Sequence, residues 1–299
     1  MHAPRPPAPH TPAPAERQGH LTGIVLISVA FALFSVTDAL MKHVTRTYPL
    51  FEAFFFNALF ALVPIVGFAL ARGGLRTLAT QRPLVHLVRS CFGIGAGLGA
   101  FYGYTRMPIA DVYAILFTSP LIITALSQVV LGERVRVAQW IAILVGFSGV
   151  LLMLRPGAGI IDPGALGAMA SAFCFAVSGL IVRRYGRTES AASYPFYGNL
   201  LAMAVLLPLM APVFVLPDAA GFALMMACGL CGGTALLCLL GAFRIAPAAV
   251  VAPFQYTQML WGVLYGALFF GDWPGPALLA GAAVVIGSGL YLLRREARH

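Results

Sequence analysis

Ten long apolar runs dominate this 299-residue chain and constrain its fold more than any other feature. A bilayer core of about 30 Å needs about 20 helical residues to cross it, and each run approaches or meets that length. Backbone amides in lipid must be paired within the segment, and the runs lack the alternating polarity of barrel strands, so we predict helices. We number them spans 1 to 10: 21–41, 51–71, 84–104, 108–131, 138–154, 165–182, 191–212, 219–242, 247–270 and 275–293.

Composition agrees with a chain that is solvated mainly by lipid. Sixty per cent of the residues are hydrophobic and 10% are charged, whereas soluble domains carry about 25% charged residues. The net charge of +9 would favour nucleic-acid binding in a soluble protein, but here the basic residues lie in short loops between apolar runs, so no nucleic-acid partner is expected. Residues 1–20 contain six prolines and predict a disordered tail, and 294–299 form a second short tail.

The loop charges test the number of spans. With ten spans the termini share one side of the membrane, and the loops on the opposite side hold only Lys42, Arg46, Arg106 and Arg155. The other 15 of the 19 lysines and arginines then lie on the side of the termini. Because basic loops stay in the cytoplasm, both termini are predicted to be cytoplasmic.

The chain also repeats itself with a period near 140 residues. The segment from Pro108 to Gly132 matches the segment from Pro247 to Gly271, with the same 24-residue spacing. The other matches pair 148–149 (SG) with 288–289 (SG), and Gly93 and Gly97 with Gly229 and Gly233.

Five spans make up each copy, 21–154 and 165–293. Five is odd, so the second copy must enter the membrane from the opposite side. The fold class is therefore an all-α integral membrane protein of ten transmembrane helices, arranged as two inverted five-helix repeats. Inverted repeats are typical of secondary transporters, whose sites lie near mid-membrane between the repeats.

Short motifs along both repeats resemble those of a known family. In the first repeat they are 38–42 (DALMK), 89–90 (RS), 101–102 (FY), 108–111 (PIAD), 131–134 (LGER) and 146–150 (GFSGV). In the second they are 246–248 (APA), 252–256 (APFQY) and 270–274 (FGDWP). In this order and in duplicate, they resemble the drug/metabolite transporter superfamily, in the branch with two EamA-type repeats.

The resemblance implies a ten-helix carrier of small organic metabolites in the inner (cytoplasmic) membrane. It implies a central cavity lined mainly by spans 1, 3, 4, 6, 8 and 9, and it does not specify the substrate or the direction of transport. Where many relatives have an arginine in the second helix, this chain has Asn57. A charge contact that relatives make there is therefore expected to be absent.

Ionisable residues within spans are costly, by about 2.5–3.5 kcal/mol on insertion scales, and need an explanation. Asp38 lies near the outer end of span 1 and Lys42 follows at i+4, so the two form either an anchoring ion pair or a substrate or proton contact. With Asp38, Glu52 and Asp111 predict an acidic outer vestibule, or are merely solvated helix ends. Arg89 either extends to the inner interface or contacts substrate.

Polar and aromatic residues of spans 4 and 9 are the best candidates for contacting an organic solute. Gln258, Trp261 and Tyr265 recur at i, i+3 and i+7 and share one helix face. Such a face suits a solute with a ring or an amide; the alternative is interhelical hydrogen bonding with an interfacial aromatic belt. The full set of candidates adds Tyr113, Thr118, Ser119, Gln128, Gln255, Tyr256 and Thr257.

A secondary transporter is thus the function that the sequence favours, with the lipid bilayer as its surroundings. A channel is the first alternative, although no continuous polar stripe is visible, and a membrane-embedded enzyme is the second, although no HExxH, GxGD or Ser–His arrangement occurs at membrane depth. Cys228 and Cys231 have CxxC spacing but lack a second Cys or His pair, so no metal or other cofactor is expected. No nucleotide-binding motif is present, and the oligomeric state is not specified.

Topology reporters test the ten-span arrangement. Fusions after Arg187 and after His299 should both report a cytoplasmic position, and a fusion after Asp272 should report an external one, because the basic loops hold their side of the chain in the cytoplasm. Alkaline phosphatase and fluorescent-protein fusions measure this directly. An external C-terminus would contradict the number of spans.

Overall fold

The computed structural model describes residues 14–132, 137–154, 162–185 and 192–296. Within those ranges the chain is almost wholly helical. The helices are α1 (Pro14–Val44), α2 (Leu50–Ala71), α3 (Pro83–Arg106), α4 (Ile109–Leu116), α5 (Ser119–Val130), α6 (Val137–Leu154), α7 (Pro163–Tyr185), α8 (Ser193–Met210), α9 (Ala219–Ile245), α10 (Ala248–Val251), α11 (Thr257–Tyr265) and α12 (Pro276–Glu296).

These helices form the ten predicted spans in the described part of the chain. Spans 1 to 3 are α1 to α3, spans 5 to 8 are α6 to α9, and span 10 is α12. Span 4 consists of α4 and α5. Span 9 consists of α10, a 3₁₀ turn over Ala252–Tyr256, α11 and a π-helical turn over Gly266–Phe270. The ten-helix prediction is confirmed, but spans 4 and 9, which were predicted as continuous helices, are each interrupted.

The two ends of the chain depart from the predicted tails. Helix α1 begins at Pro14, so residues 14–20 are helical rather than part of a disordered tail. Proline is tolerated in a first helical turn, and the alanine, glutamate, arginine and glutamine that follow it favour helix. Similarly, α12 continues to Glu296, beyond the predicted end at 293. Residues 1–13 and 297–299 lie outside the described part of the chain.

The packing of the spans repeats under exchange of the two halves. Span 1 packs along span 8, and its counterpart, span 6, packs along span 3. Span 9 packs against span 1, and span 4 packs in the same way against span 6. Spans 2 and 7, 4 and 9, and 5 and 10 each pack against their own counterpart. This pattern is the one expected of two inverted repeats related by an axis in the membrane plane.

Loops that the ten-span topology places on one side contact each other. On the outer side the Tyr48 hydroxyl donates to Asp218 Oδ1 at 3.0 Å. That oxygen also accepts from the Gly221 amide at 2.6 Å, which caps α9. The amide and the hydroxyl stabilise the carboxylate and lower the pKa of Asp218. On the inner side Arg184 Nη1 donates to the Val130 carbonyl at 2.6 Å.

Equivalent glycines of spans 3 and 8 have different surroundings. A Cβ at Gly229 would lie 2.6 Å from both the Asn57 carbonyl oxygen and the Phe60 Cβ, because α9 and α2 approach closely there. A Cβ at Gly93, its counterpart, would meet nothing within 4 Å. The close approach of α9 and α2 therefore requires glycine at position 229, whereas position 93 has room for a larger residue.

Alanine substitutions test this difference. Gly229→Ala should destabilise the protein by about 1–3 kcal/mol, because the new methyl group meets backbone that cannot move aside. Gly93→Ala should be neutral or stabilising, since alanine is the better helix former. Thermal unfolding of the two purified variants in detergent measures the contrast, and equal losses would contradict the close approach of α9 and α2.

Candidate functional site

Four spans meet at the carboxylate of Asp38, which is 8% exposed. The Tyr113 hydroxyl of span 4 donates to Asp38 Oδ2 at 2.7 Å, and Gln258 Nε2 of span 9 donates to the same oxygen at 3.3 Å. The Tyr104 hydroxyl of span 3 lies close enough to interact with the same carboxylate. Donors from both repeats therefore converge on one acidic side chain of span 1. We call these four residues the Asp38 cluster.

Lys42 does not pair with Asp38. Its Nζ lies 2.7 Å from Asp272 Oδ2, donates to the Met107 carbonyl at 3.0 Å and lies 4.8 Å from the centre of the Phe270 ring. The i+4 ion pair, one of the two alternatives from the sequence, is therefore not formed, and the hydrogen-bond donors to Asp38 come from spans 4 and 9 instead. The Lys42 side chain reaches the ends of spans 3 and 9 and ties both of them to span 1.

A cavity of about 250 Å³ opens beside this ion pair. It is lined by Lys42, Thr45, Arg46, Tyr104, Thr105, Arg106, Met107, Pro108 and Asp272. Tyr104 belongs both to the cavity wall and to the Asp38 cluster, so the cavity reaches that cluster from the outer side. The charged groups of its wall are three bases and one acid, not the acidic set expected from sequence.

The three carboxylates of the predicted outer vestibule lie in different surroundings. Asp111 is half-buried in the first turn of α4, within electrostatic reach of Lys42 and Asp272, and so lies near the cavity mouth. Glu52 is fully buried, and its Oε2 accepts from the Val215 amide at 3.0 Å. Glu52 thus holds the connection between spans 7 and 8 and does not face this cavity.

Spans 4 and 9 are interrupted at equivalent positions. In span 4 the break falls at Phe117 and Thr118, and the Thr118 hydroxyl donates to the Ile115 carbonyl at 2.7 Å. In span 9 the 3₁₀ turn ends before Thr257, whose hydroxyl donates to the Phe254 carbonyl at 2.6 Å. Each threonine hydroxyl thus donates to a carbonyl three residues earlier and stabilises the interrupted backbone. Prolines at 120 and 253 are the sequence signal that predicts such breaks.

The breaks bring equivalent aromatic residues together. Phe117 and Tyr256 occupy matching positions of the two repeats, and their ring centres lie 5.2 Å apart in an edge-to-face arrangement. Tyr113 stacks on Phe117 at 6.4 Å, and Tyr104 meets Tyr113 edge-on at 6.0 Å. A continuous row of rings therefore leads from the cavity wall, past Asp38, to the contact between the repeats.

The predicted face of span 9 divides into two parts. Gln258 belongs to the Asp38 cluster, whereas Trp261 and Tyr265 stack on each other with ring centres 5.9 Å apart. Tyr265 also contacts Phe269 at 6.0 Å. Gln255 is half-buried in the 3₁₀ turn beside Tyr256.

Arg89 and Asn57 lie apart from the hydrogen bonds of the Asp38 cluster. Arg89 lies in the N-terminal half of span 3, and its Nη1 donates to the Tyr194 carbonyl at 2.9 Å. Asn57 Nδ2 donates to the sulfur of Cys228 at 3.2 Å, and Cys228 in turn packs beneath the Asp38 turn of span 1 through its contact with Thr37. Of the four residues of the Asp38 cluster, Tyr104 is the one that was not predicted, because a tyrosine within an apolar run carries no signal of a distant acidic neighbour.

Comparison with known proteins decides the family. The sequence pattern of the EamA-like transporter family matches residues 21–155 and 162–294, one copy in each repeat. The chain belongs to the EamA-like transporter family. A solved crystal structure with 23% sequence identity aligns over 92% of this chain and 99% of its own, with a TM-score of 0.64, and so shares the fold.

Characterised relatives carry different metabolites. An S-adenosylmethionine uptake transporter of Rickettsia conorii is 28% identical over 93% of this chain and 94% of its own length. A riboflavin transporter of Rhizobium johnstonii is 31% identical over 92% and 91%. A pseudopaline exporter of Pseudomonas aeruginosa is 26% identical over 92% and 97%. This member of the EamA-like family is accordingly a multi-pass membrane transporter of a small metabolite, and the channel and enzyme alternatives are not favoured.

A double-mutant cycle tests the ion pair at the outer mouth. Lys42→Gln and Asp272→Asn should each destabilise the protein, because the remaining charge is left partly buried, with side chains 12% and 27% exposed in the native pair. The double variant should recover a coupling energy of about 0.5–3 kcal/mol. Unfolding of the purified variants in a denaturing detergent measures each corner of the cycle.

Arg46→Gln is the matched control. Arg46 lies over the same Phe270 ring at 4.9 Å but is exposed and has no described acidic partner. It should show little effect, and a cycle in which Lys42 and Asp272 act additively would contradict a stabilising pair.

Proposed function

We propose that the Asp38 cluster binds the transported metabolite, and that this metabolite carries both a positive charge and a planar ring. In this proposal Asp38 receives the charge, while Tyr104, Tyr113 and Gln258 orient it. Transport proceeds by alternating access across the cytoplasmic membrane, with both termini in the cytoplasm. The single observation that carries the proposal is a buried carboxylate whose described partners are all neutral.

The charge argument begins with the cost of burying an acid. An aspartate at membrane depth costs about 2.5–3.5 kcal/mol on insertion scales and is normally paired with a cation. Within the described ranges the ion pair found is Lys42 with Asp272, which leaves Asp38 with hydroxyl and amide donors. The missing positive charge must come from a proton or from a bound cation. A site that alternates between the two exchanges one for the other.

The ring argument rests on the aromatic row beside Asp38. The centres of Tyr104, Tyr113, Phe117 and Tyr256 are spaced by 6.0, 6.4 and 5.2 Å. Aromatic rings offer stacking surfaces to a planar solute and attract cations through their faces. The same row also keeps water away from the carboxylate, which strengthens its attraction for a cation.

The solutes named for two relatives can be compared with these charge and ring requirements. S-Adenosylmethionine combines a sulfonium cation, an amino group and an adenine ring, so it satisfies both the charge and the ring requirement. Riboflavin has a planar ring system without a positive charge, so it satisfies only the ring requirement. The Asp38 cluster therefore supports an S-adenosylmethionine-like solute over a riboflavin-like one, with Trp261, Tyr265 and Gln255 of span 9 as further proposed contacts for its ring or amide groups.

The arrangement of the spans supports alternating access. Interrupted helices in equivalent positions of two inverted repeats are typical of carriers whose site lies between the repeats. The Lys42–Asp272 pair joins spans 1, 3 and 9 beside the cavity, so its separation would widen the path from the cavity to the Asp38 cluster. Asp111 lies close enough to offer Lys42 a second acidic partner when the pair opens.

Transport assays of Asp38 variants test the proposal. Asp38→Asn should reduce uptake or exchange of labelled S-adenosylmethionine at least about tenfold, because an amide cannot balance the positive charge; about 1.4 kcal/mol of lost binding is a factor of ten. Asp38→Glu should retain part of the activity, since it keeps the charge. Proteoliposomes with matched protein content measure both.

Glu52→Gln is the control for this assay. It removes a second buried carboxylate of the outer half by the same isosteric change, and its amide oxygen still accepts from the Val215 amide. It should transport at nearly the wild-type rate. Wild-type transport by a fully inserted Asp38→Asn protein would exclude Asp38 from the site, whereas transport of riboflavin alone would contradict the cationic class of solute.

A further inference from the structure

A second polar cluster lies on the cytoplasmic side, where α3 packs against α8. The Arg89 guanidinium lies over the Tyr194 ring, 5.5 Å from its centre, and one of its nitrogens donates to the Tyr194 carbonyl. Its Nε is buried without a hydrogen-bond partner. The hydroxyl of the next residue, Ser90, is also without a partner, in a side chain that is 1% exposed. Two buried donors on adjacent residues are therefore unsatisfied.

The positive charge of Arg89 is also unbalanced. The ion pair described in the residues 14–132, 137–154, 162–185 and 192–296 joins Lys42 to Asp272 on the outer side, and the electrostatic neighbour of Arg89 is Tyr194. Arginine stays protonated in proteins, so it cannot relieve its burial by losing a proton. A partly buried guanidinium whose Nε is buried and unpartnered favours an anion nearby, and the described residues supply none.

Gly198 of α8 lies directly against both residues. A Cβ at this position would lie 3.1 Å from Arg89 Nη1 and 3.9 Å from Ser90 Oγ. The absent side chain therefore lets the α8 backbone approach Arg89 and Ser90 closely. Glycine inside a helix is less favourable than alanine, so its presence here is consistent with this close approach.

The surroundings indicate where the anion comes from. Next to Arg89 along α3, Leu84 and Leu87 are 69% and 47% exposed and face the apolar part of the membrane. Arg72, Arg76 and Arg82 are exposed near the same end of the helices. Basic groups between helices at the cytoplasmic side are typical of sites for anionic lipid headgroups, and arginine with a hydroxyl donor suits a phosphate.

We propose that Arg89 and Ser90, beside the Gly198 backbone, form an anion site that takes the phosphate of a phospholipid headgroup from the cytoplasmic leaflet. The chemistry recognised is that of a phosphate oxygen between a guanidinium and a hydroxyl. The bound lipid fixes span 3 against span 7. The site is separate from the Asp38 cluster and does not depend on which metabolite is transported.

The test measures thermal stabilisation of the purified full-length chain in neutral detergent. Phosphatidylglycerol, phosphatidylcholine and inorganic phosphate are added separately to wild type and variants. Phosphatidylglycerol should raise the unfolding midpoint of wild type by several degrees and more than phosphatidylcholine does, because a ligand stabilises the state that it binds. Arg89→Gln and Gly198→Ala should lose most of that rise.

Two variants keep the test informative. Gly198→Ala places a methyl group against Arg89 Nη1 while favouring the helix, so its loss of lipid response is distinguishable from a failure to fold. Arg76→Gln removes one exposed charge from the same side and should keep the response. Stabilisation by inorganic phosphate alone, lost in the same two variants, would retain the anion site and overturn its lipid source. Equal lipid responses in wild type, Arg89→Gln and Gly198→Ala would overturn the site.

Discussion

Lipid offers no hydrogen bonds, so every polar group at membrane depth must be satisfied by the protein or by something that it binds. The spans meet this constraint with local bonds where the backbone is interrupted, as the hydroxyls of Thr118 and Thr257 do. Tertiary donors meet it at Asp38. Groups that remain unsatisfied are few in the described residues, and they include the Arg89 and Ser90 donors. The polar groups at membrane depth therefore either stabilise the fold or are candidates for binding a ligand.

The two repeats pack their helices in the same way but carry different side chains at equivalent positions. Prolines 108 and 247 begin spans 4 and 9 at equivalent positions, and both spans are interrupted near the Phe117–Tyr256 contact. Yet Tyr113, which donates to Asp38, matches Ala252 in the second repeat. The acidic cluster therefore has no equivalent on the other side of the axis. Symmetry explains how the helices pack, and its local violation explains why Asp38 has neighbours that no group in the opposite half has.

Features that depend on short segments could be predicted from the sequence, whereas contacts between residues far apart in the chain could not. Hydrophobic length and loop charge are properties of short segments, so the spans and their order could be read directly from sequence. The candidate residues Asp38, Tyr113 and Gln258 were recognised as polar groups at membrane depth, but their mutual contact spans up to 220 residues of chain. Lys42 shows the limit most clearly: its nearest acid in sequence is Asp38, and its partner is 230 residues away. Local spacing carries no information about such partners.

The Phe117–Tyr256 contact joins equivalent positions of the two repeats. When two inverted repeats exchange their conformations, contacts between unlike positions are broken and remade, but a residue that touches its own counterpart keeps the same neighbour. If the repeats exchange conformations by the proposed alternating access, both end states contain this pair of rings. A change in its packing is then expected to affect the two states alike and to leave the balance of their populations nearly unchanged.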